Sequence, residues 1–176
     1  MSISTKKKKV FVGLSGGVDS AVSAALLKKE RYDVTGVFVR IALPGYPCSA
    51  GEDRREALRV AAHLQIPFLD IDLSEKYRQK IFAHSMEAYA RGETPNPDAL
   101  CNREIKFGLL YDFAMSRGAD YLATGHYARI YKGQSFVKLL AGKDPEKDQS
   151  YFLWAVPELR LAKTIFPVGH LYKKEV

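Results

Sequence analysis

The stretch Val10-Phe-Val-Gly-Leu14-Ser-Gly-Gly-Val-Asp-Ser20 decides the fold of this chain. It begins with a run of β-branched and aromatic residues, passes through a Ser-Gly-Gly turn, and continues into residues 18–29, whose apolar side chains recur at helical spacing. In a strand, glycine turn and helix of this kind, backbone N–H groups and the positive end of the helix converge on one point. The stretch therefore predicts a phosphate-binding loop.

The residue types in this loop indicate how phosphate is held. Its glycines let the main chain approach phosphate closely, and the hydroxyl groups of Ser15 and Ser20 add hydrogen-bond donors. A carboxylate repels phosphate, so Asp19 is best explained as a ligand for a Mg²⁺ ion that bridges the phosphate oxygens. The Gly-Lys-Ser/Thr ending of a Walker loop is missing, and so is the Gly-x-Gly-x-x-Gly spacing of a dinucleotide site.

Strand and helix patterns alternate along the rest of the chain. Strands are predicted at 34–39, 67–71 and 120–124, and helices at 52–64, 74–91 and 104–117. A hairpin of 128–131 with 136–140 and a short helix at 149–155 are predicted after them. This alternation predicts an α/β fold, a parallel sheet with helices on both faces.

Composition limits the functional classes. A chain of 176 residues suits one ordinary domain, and its net charge of +7 favours a polyanionic partner such as RNA, although many basic proteins bind none. The apolar run after the basic start is too short for a secretory signal, and no stretch approaches the length of a membrane span. Two cysteines do not make a disulfide framework, so we expect a reducing cytoplasm.

Cys101 lies in the second segment that carries chemistry, Thr94-Pro-Asn-Pro-Asp-Ala-Leu-Cys-Asn-Arg-Glu-Ile-Lys-Phe107. A cysteine near a helix N-terminus with Arg103 and Lys106 beside it is predicted to have a lowered pKa and more thiolate. That environment suits a nucleophile or a sulfur carrier. On general grounds a buried, inert thiol also explains a lone cysteine.

Taken together, these segments resemble a known family. The loop at 15–20 resembles the PP-loop of the ATP pyrophosphatase superfamily, and its combination with the cysteine segment, Ala123-Thr-Gly-His-Tyr127 and Lys147-Asp-Gln-Ser-Tyr-Phe-Leu153 resembles the bacterial tRNA-specific 2-thiouridylases, the MnmA family. The resemblance implies that ATP, with Mg²⁺, adenylates the C2 oxygen of the wobble uridine of a tRNA. Sulfur supplied by a persulfide donor protein would then attack C2 and release AMP.

The resemblance also implies roles for individual residues. Cys101 matches the family nucleophile and Asp98 belongs with it in the catalytic set, while Val39 and Gly125 are expected against the nucleotide. The residues implied to bind the ATP phosphates are Gly13, Leu14, Ser15, Gly16, Gly17, Val18, Asp19 and Ser20. Asn96, Pro97 and Asp98 are implied to face the target base. The residues implied to meet the tRNA are Lys147, Asp148 and Gln149.

Three parts of the chain are expected. Residues 1–9 form a basic tail, residues 10–165 form the PP-loop ATP pyrophosphatase domain, and residues 166–176 look like the start of a following region that is cut short. The second catalytic cysteine of the family lies beyond the end of this chain. Cys48 could stand in for it, although an incidental thiol is the simpler interpretation.

Several alternatives stay open. The chain could be a truncated fragment that binds ATP or RNA without turnover, or another PP-loop enzyme that acts on a small molecule. An iron–sulfur cluster at Cys101 would need more thiolates than two distant cysteines supply. His126 follows Gly125 at the end of a predicted strand, where open α/β sheets bind ligands, but a structural histidine would fit there equally well. The oligomeric state cannot be predicted.

Overall fold

A computed structural model describes residues 7–46 and 49–176. Most of the predicted basic tail and Cys48 therefore lie outside the described residues. Within these two ranges, no helix is long and apolar enough to cross a membrane.

Strands and helices alternate from the start of the described chain. The strands are β1 (Lys9–Gly13), β2 (Asp33–Arg40), β3 (Phe68–Asp72), β4 (Tyr121–Ala123), β5 (Ala128–Lys132), β6 (Val137–Ala141) and β7 (Thr164–Ile165). Among the described residues, three helices are single segments: α1 (Val18–Lys29), α2 (Ala50–His63) and α5 (Glu158–Leu161). Helix α3 has three consecutive segments, Ser74–Tyr77, Arg78–Phe82 and Ala83–Ala90. Helix α4 also has three, Pro97–Cys101, Asn102–Leu110 and Tyr111–Ser116. The middle segments of α3 and α4 are π-helical. Short 3₁₀ turns cover Ser150–Leu153, Pro167–His170 and Lys173–Glu175.

In the described chain, five strands form a parallel sheet in the order β3-β2-β1-β4-β7, and β5 pairs with β6 as a separate antiparallel hairpin. The chain builds the sheet in one direction from β1 to β3 and then returns to the other side of β1 with β4. Ligands of open α/β sheets bind at such a reversal, in the crevice beyond the carboxyl ends of the strands. The ends of β1 and β4 are therefore where the site is expected.

Two apolar clusters lie on the two faces of the sheet, because alternate side chains of a strand point to opposite faces. On one face, Val10 and Val12 of β1 pack with apolar residues of α1 and α2, namely Ala24, Leu27, Ala57 and Ala61. On the other face, Phe11 packs with apolar residues of α4, namely Phe107, Leu110 and Ala114. The predicted parallel sheet with helices on both faces is confirmed.

The start of α4 corrects one sequence prediction. The helix was predicted at 104–117, but it begins at Pro97. Asn96 is its N-cap, and the side-chain oxygen of Asn96 accepts a hydrogen bond of 3.0 Å from the backbone N–H of Ala99. An asparagine cap followed by proline at the first helical position favours helix initiation, so the start extends to include Cys101.

Residues 166–176 pack against the body of the domain. Phe166 and Val168 are buried in it. Gly169 approaches β5 so closely that a Cβ there would lie 1.7 Å from the carbonyl oxygen of Ala128. The placing of a domain boundary between residues 165 and 166 stays a prediction, but the segment packs against the hairpin and the core of the domain.

Candidate active site

A cavity of about 300 Å³ opens at the carboxyl ends of β1 and β4. Five parts of the chain meet there: the loop after β1, the end of β2, the first two segments of α4, the loop after β4 and the loop that contains Gln149. The lining residues are Gly13, Leu14, Ser15, Asp19, Ser20, Val37, Val39, Ile41, Cys101, Ile105, Lys106, Leu110, Thr124, Gly125, His126 and Gln149. Cys101, Val39, Gly125 and much of the phosphate loop, which were predicted from separate stretches of sequence, thus share one cavity.

Two glycines let the loop take its shape. Gly16 has a φ of +85°, and a Cβ at this position would lie 2.7 Å from the backbone oxygen of Asp53 in α2. A Cβ on Gly125 would lie 2.8 Å from the backbone nitrogen of Ser20. Side chains at either position would force the loop away from its neighbours, so these glycines fix its close packing.

The loop leaves amide groups available for an anion. In the first turn of α1, the N–H groups of Val18, Asp19 and Ser20 have no carbonyl partner within the helix. The Ser20 hydroxyl donates to the carbonyl oxygen of Gly17 at 2.9 Å, and it accepts a 3.2 Å hydrogen bond from the N–H of Ser15. The Ser20 side chain thus stabilises the conformation of the loop. The chemistry of this donor set fits phosphate.

Asp19 lies between the loop and two donors from distant parts of the chain. Its Oδ1 accepts a 2.8 Å hydrogen bond from the Tyr127 hydroxyl and one of 2.5 Å from the Lys173 ammonium. Burial, together with the hydrogen bond to the Asp19 carboxylate and its charge, raises the pKa of Tyr127 well above its ordinary value. Tyr127 therefore stays protonated as a donor.

Asp19 also fits the predicted role in Mg²⁺ binding. Mg²⁺ usually takes one or two carboxylates, with phosphate oxygens and water completing its octahedron. The described residues contain no group of three or more histidine, cysteine or acidic side chains that could hold a metal by themselves. A single carboxylate beside a phosphate loop matches a metal that arrives with its nucleotide.

Cys101 is partly buried at the end of the first segment of α4. Burial raises the pKa of its thiol, the Lys106 charge lowers it, and the Asp98 charge raises it, with a net upward shift. The sequence prediction of a lowered pKa for Cys101 is therefore wrong. Cys101 lies a full turn beyond the helix start, and the Arg103 guanidinium pairs with Glu104 at 2.9 Å.

Lys106 and His126 form a contact at the floor of the cavity. The Lys106 Nζ lies 3.4 Å from His126 Nε2, and the Thr124 hydroxyl lies 2.7 Å from His126 Nδ1. Burial and then the Lys106 charge hold the pKa of His126 well below its ordinary value, so the ring is neutral. Since an ammonium group can only donate, Nε2 must be the acceptor, and Nδ1–H donates to Thr124.

The residues predicted to meet tRNA have different environments. Asp148 accepts hydrogen bonds from the N–H groups of Gly142 and Ser150 at 2.8 and 3.1 Å, and Gln149 Oε1 accepts one of 3.0 Å from the N–H of Tyr127. These two side chains hold the loop beside the cavity. Lys147 is exposed.

Comparison with known proteins identifies the family. Residues 8–176 match the family described as the tRNA methyl transferase HUP domain. The chain belongs to this family. The resemblance to the MnmA proteins is also confirmed: the chain is 49% identical over 174 residues to the tRNA-specific 2-thiouridylase MnmA 1 of Geobacillus kaustophilus, covering 97% of this chain and 47% of that protein.

Another relative within the family gives the same coverage. The tRNA-specific 2-thiouridylase MnmA of Nitrosomonas europaea is 48% identical over 174 residues, which are 97% of this chain and 48% of that protein. The chain thus spans about half the length of the curated relatives that it matches.

Solved structures agree on the fold of this family member. A 4-thiouridine synthetase in complex with RNA and ATP superimposes with a TM-score of 0.57 at 19% identity, over 96% of this chain and 38% of that one. A predicted subunit of a tRNA methyltransferase from Methanocaldococcus jannaschii gives a TM-score of 0.55 at 20% identity, over 95% of this chain and 71% of that one. At these identities the likeness concerns the α/β fold.

Two residues of the site were missed by sequence reasoning. Tyr127 belonged to a recognised motif, but only the structure joins its hydroxyl to Asp19. Lys173 was assigned to a separate region, and nothing in its local sequence indicated a contact across 154 positions. Lys174 follows directly, so the presence of a basic residue in this segment did not distinguish Lys173.

Proposed function

We propose that this chain is the adenylating part of a tRNA 2-thiouridylase. The observation that carries the proposal is the shared cavity, in which Cys101 faces the phosphate loop and Asp19. A nucleotide bound by the loop and a base entering beside Cys101 would meet in this one space. The identity of 44–49% to 2-thiouridylases over nearly the whole chain supports the same assignment.

The proposed reaction has two stages. The C2 oxygen of the wobble uridine attacks the α-phosphorus of ATP, and pyrophosphate leaves. The terminal sulfur of a persulfide then attacks C2, and AMP leaves with the former C2 oxygen. The S–S bond left on the base is cleaved by the Cys101 thiolate, so that sulfur stays on C2 and Cys101 forms a disulfide with the donor cysteine.

The chain's own groups suit the first stage. The amides of Val18, Asp19 and Ser20 in the first turn of α1 are proposed to bind the β and γ phosphates, where charge accumulates as pyrophosphate leaves. Mg²⁺, held by Asp19, would supply further neutralisation of that charge. Val39 and Gly125, which line the cavity on opposite sides of β1, are proposed to contact the nucleoside.

The second stage depends on the environment of Cys101. The pKa of this thiol is raised by burial, and the Lys106 charge acts against that shift. Lys106 is therefore the group that favours thiolate at Cys101. Asp98 is proposed to act in the same site, and its charge contributes to the raised pKa of the thiol.

The tRNA is proposed to approach from the side of α4 and the loop at 147–149. Asn96 and Pro97 open α4, next to Asp98, and are proposed to face the target base. Lys147 is exposed and offers a charge to the phosphate backbone. Asp148 and Gln149 would act mainly by holding the shape of this surface. We also propose that a persulfide donor protein supplies the sulfur and that the protein is cytoplasmic.

Two features favour thiolation over methyl transfer, although the family description mentions a methyl transferase. The curated relatives carry the name 2-thiouridylase. In addition, a thiol beside a phosphate loop has a use in sulfur transfer that follows ATP activation.

The test is to incubate a tRNA that carries a wobble uridine with the chain, ATP, Mg²⁺ and a persulfide donor, and to measure pyrophosphate and 2-thiouridine separately. The Cys101→Ala variant is expected to release pyrophosphate and form no 2-thiouridine, whereas a Cys48→Ala control keeps both products. Pyrophosphate without thiolation in the unmodified chain would indicate an adenylating domain that lacks its sulfur carrier. The absence of both products would favour a non-catalytic fragment.

A further inference from the structure

We propose that Lys173 is a phosphate ligand of ATP and that Asp19 positions its ammonium at the phosphate loop. This inference rests on the proposed function, because it names another residue of the same ATP site. The Lys173 ammonium donates a hydrogen bond of 2.5 Å to Oδ1 of Asp19 and lies 5.8 Å from the centre of the Tyr127 ring. It therefore lies at the edge of the phosphate loop, where a phosphate oxygen would need a cation.

The position of Lys173 is fixed by its backbone. Its N–H donates a 2.8 Å hydrogen bond to Oδ2 of Asp144, a carboxylate that is 8% exposed. Asp144 is itself held by the N–H of Glu146 at 3.0 Å. The segment before Lys173 is anchored by the buried side chain of Val168 and by the close contact of Gly169 with the hairpin. These contacts place the Lys173 side chain beside the phosphate loop, although the residue lies near the end of the described chain.

Asp19 explains why a lysine is needed there. A carboxylate inside a phosphate loop repels the ligand unless a cation neutralises it. Asp19 would hold Mg²⁺ that binds with ATP, and the Lys173 ammonium would then be available to the phosphate oxygens. The Lys173 ammonium beside Asp19 offsets the negative charge of the carboxylate, so the loop remains suited to an anion.

A purely structural ion pair is the competing explanation. Both side chains are partly exposed, at 36% each, and ion pairs of that exposure add little to stability. If the pair served only to fasten the terminal segment, removing the lysine would affect unfolding and leave nucleotide binding unchanged. Nucleotide affinity is therefore the measurement that separates the two explanations.

The experiment is isothermal titration of the chain with Mg-ATP, pyrophosphate and AMP, comparing the unmodified protein with Lys173→Met, Lys173→Arg and the matched control Lys174→Met. Lys174 is the neighbouring lysine, and its ammonium lies over the Tyr172 ring. Lys173→Met is expected to weaken Mg-ATP and pyrophosphate binding by about ten- to a hundredfold, the effect of one charged hydrogen bond. AMP binding should change little, Lys173→Arg should recover part of the loss, and Lys174→Met should resemble the unmodified chain.

Thermal unfolding of each variant shows whether it is folded. A folded Lys173→Met variant that binds Mg-ATP as tightly as the unmodified chain would overturn the inference and leave the proposed function standing. Equal losses for AMP and Mg-ATP would also overturn it, because the lysine would then not act on the phosphates. An unmodified chain that binds no Mg-ATP would overturn the proposed function itself and this inference with it.

Discussion

The Lys106 ammonium lies 3.4 Å from Nε2 of the neutral, buried His126. This contact directs the lysine into the cavity, where its charge opposes the burial that raises the pKa of Cys101. The histidine therefore acts on the cysteine indirectly, through the position of a cation.

Replacement of Lys106 by methionine should make Cys101 less reactive. Without the ammonium, burial and the Asp98 charge act on the thiol unopposed, so its pKa should rise further and less thiolate should be present at a given pH. The measurement is the pH dependence of Cys101 alkylation by iodoacetamide, in a background with Cys48→Ser. We expect the midpoint to move to higher pH and the rate at neutral pH to fall.

Arg103→Met is the matched control, because it removes a basic residue of the same helix whose guanidinium pairs with Glu104. Its alkylation profile should overlap that of the unmodified chain. If Lys106→Met also left the midpoint unchanged, Lys106 would have no electrostatic effect on the thiol.

His126 should make the fold sensitive to acid. Its pKa is lowered in the folded protein, so below the unfolded value of about 6.5 the unfolded chain binds a proton that the folded chain does not. Stability should therefore fall as the pH decreases from about 7 to about 5. The His126→Gln variant lacks this contribution. Its melting temperature should therefore decrease less than that of the unmodified chain over the same pH range.

His63→Gln controls for loss of a histidine in general, because His63 is exposed in the last turn of α2. It should retain the full acid sensitivity. The explanation fails if His126→Gln shows the same decrease with pH as the unmodified chain.

The sheet and the site could be predicted to different extents. Helix α1 was predicted with its observed bounds, because the loop and the apolar spacing mark both its ends. Strand β7 was missed, since a two-residue strand has no periodicity to detect. The early start of α4 depends on one capping asparagine, which the helical pattern does not include.

The same limit applies to the environment of Cys101. Sequence proximity to Arg103 and Lys106 predicted a lowered pKa, but burial is a property of the tertiary fold and dominates here. Lys173 is the clearest case, because its partner Asp19 lies at the opposite end of the chain. Local sequence identifies reactive residue types, whereas their charge states depend on what the fold packs around them.

Gly16→Ala should destabilise the phosphate loop. Alanine at a φ of +85° costs about 1–2 kcal/mol, and the Cβ would also lie 2.7 Å from the Asp53 backbone oxygen. Gly45→Ala is the matched control, because Gly45 has a φ of +82° and open space around its Cβ position. Urea unfolding should show a larger decrease in the free energy of unfolding for Gly16→Ala than for Gly45→Ala. Equal decreases would mean that the close approach of Gly16 to α2 does not contribute to stability.

Asn96 should have two separable roles, because its amide group has a donor end and an acceptor end. The oxygen caps α4 through the Ala99 N–H, which leaves the NH₂ group for the proposed contact with the target base. Asn96→Ala should lose the cap, at about 1 kcal/mol in the free energy of unfolding, whereas serine is also a good cap and should restore most of it. Both variants should lose tRNA-dependent pyrophosphate release, since neither carries the amide donor.

The informative comparison is Asn96→Ser, measured by urea unfolding, by Mg-ATP titration and by pyrophosphate release with and without tRNA. Stability and Mg-ATP affinity should stay near those of the unmodified chain, because the loop after β1 is not changed, while the stimulation by tRNA should be lost. Full stimulation in this variant would mean that Asn96 acts only as the cap of α4. The base contact would then have to come from other residues at the start of that helix.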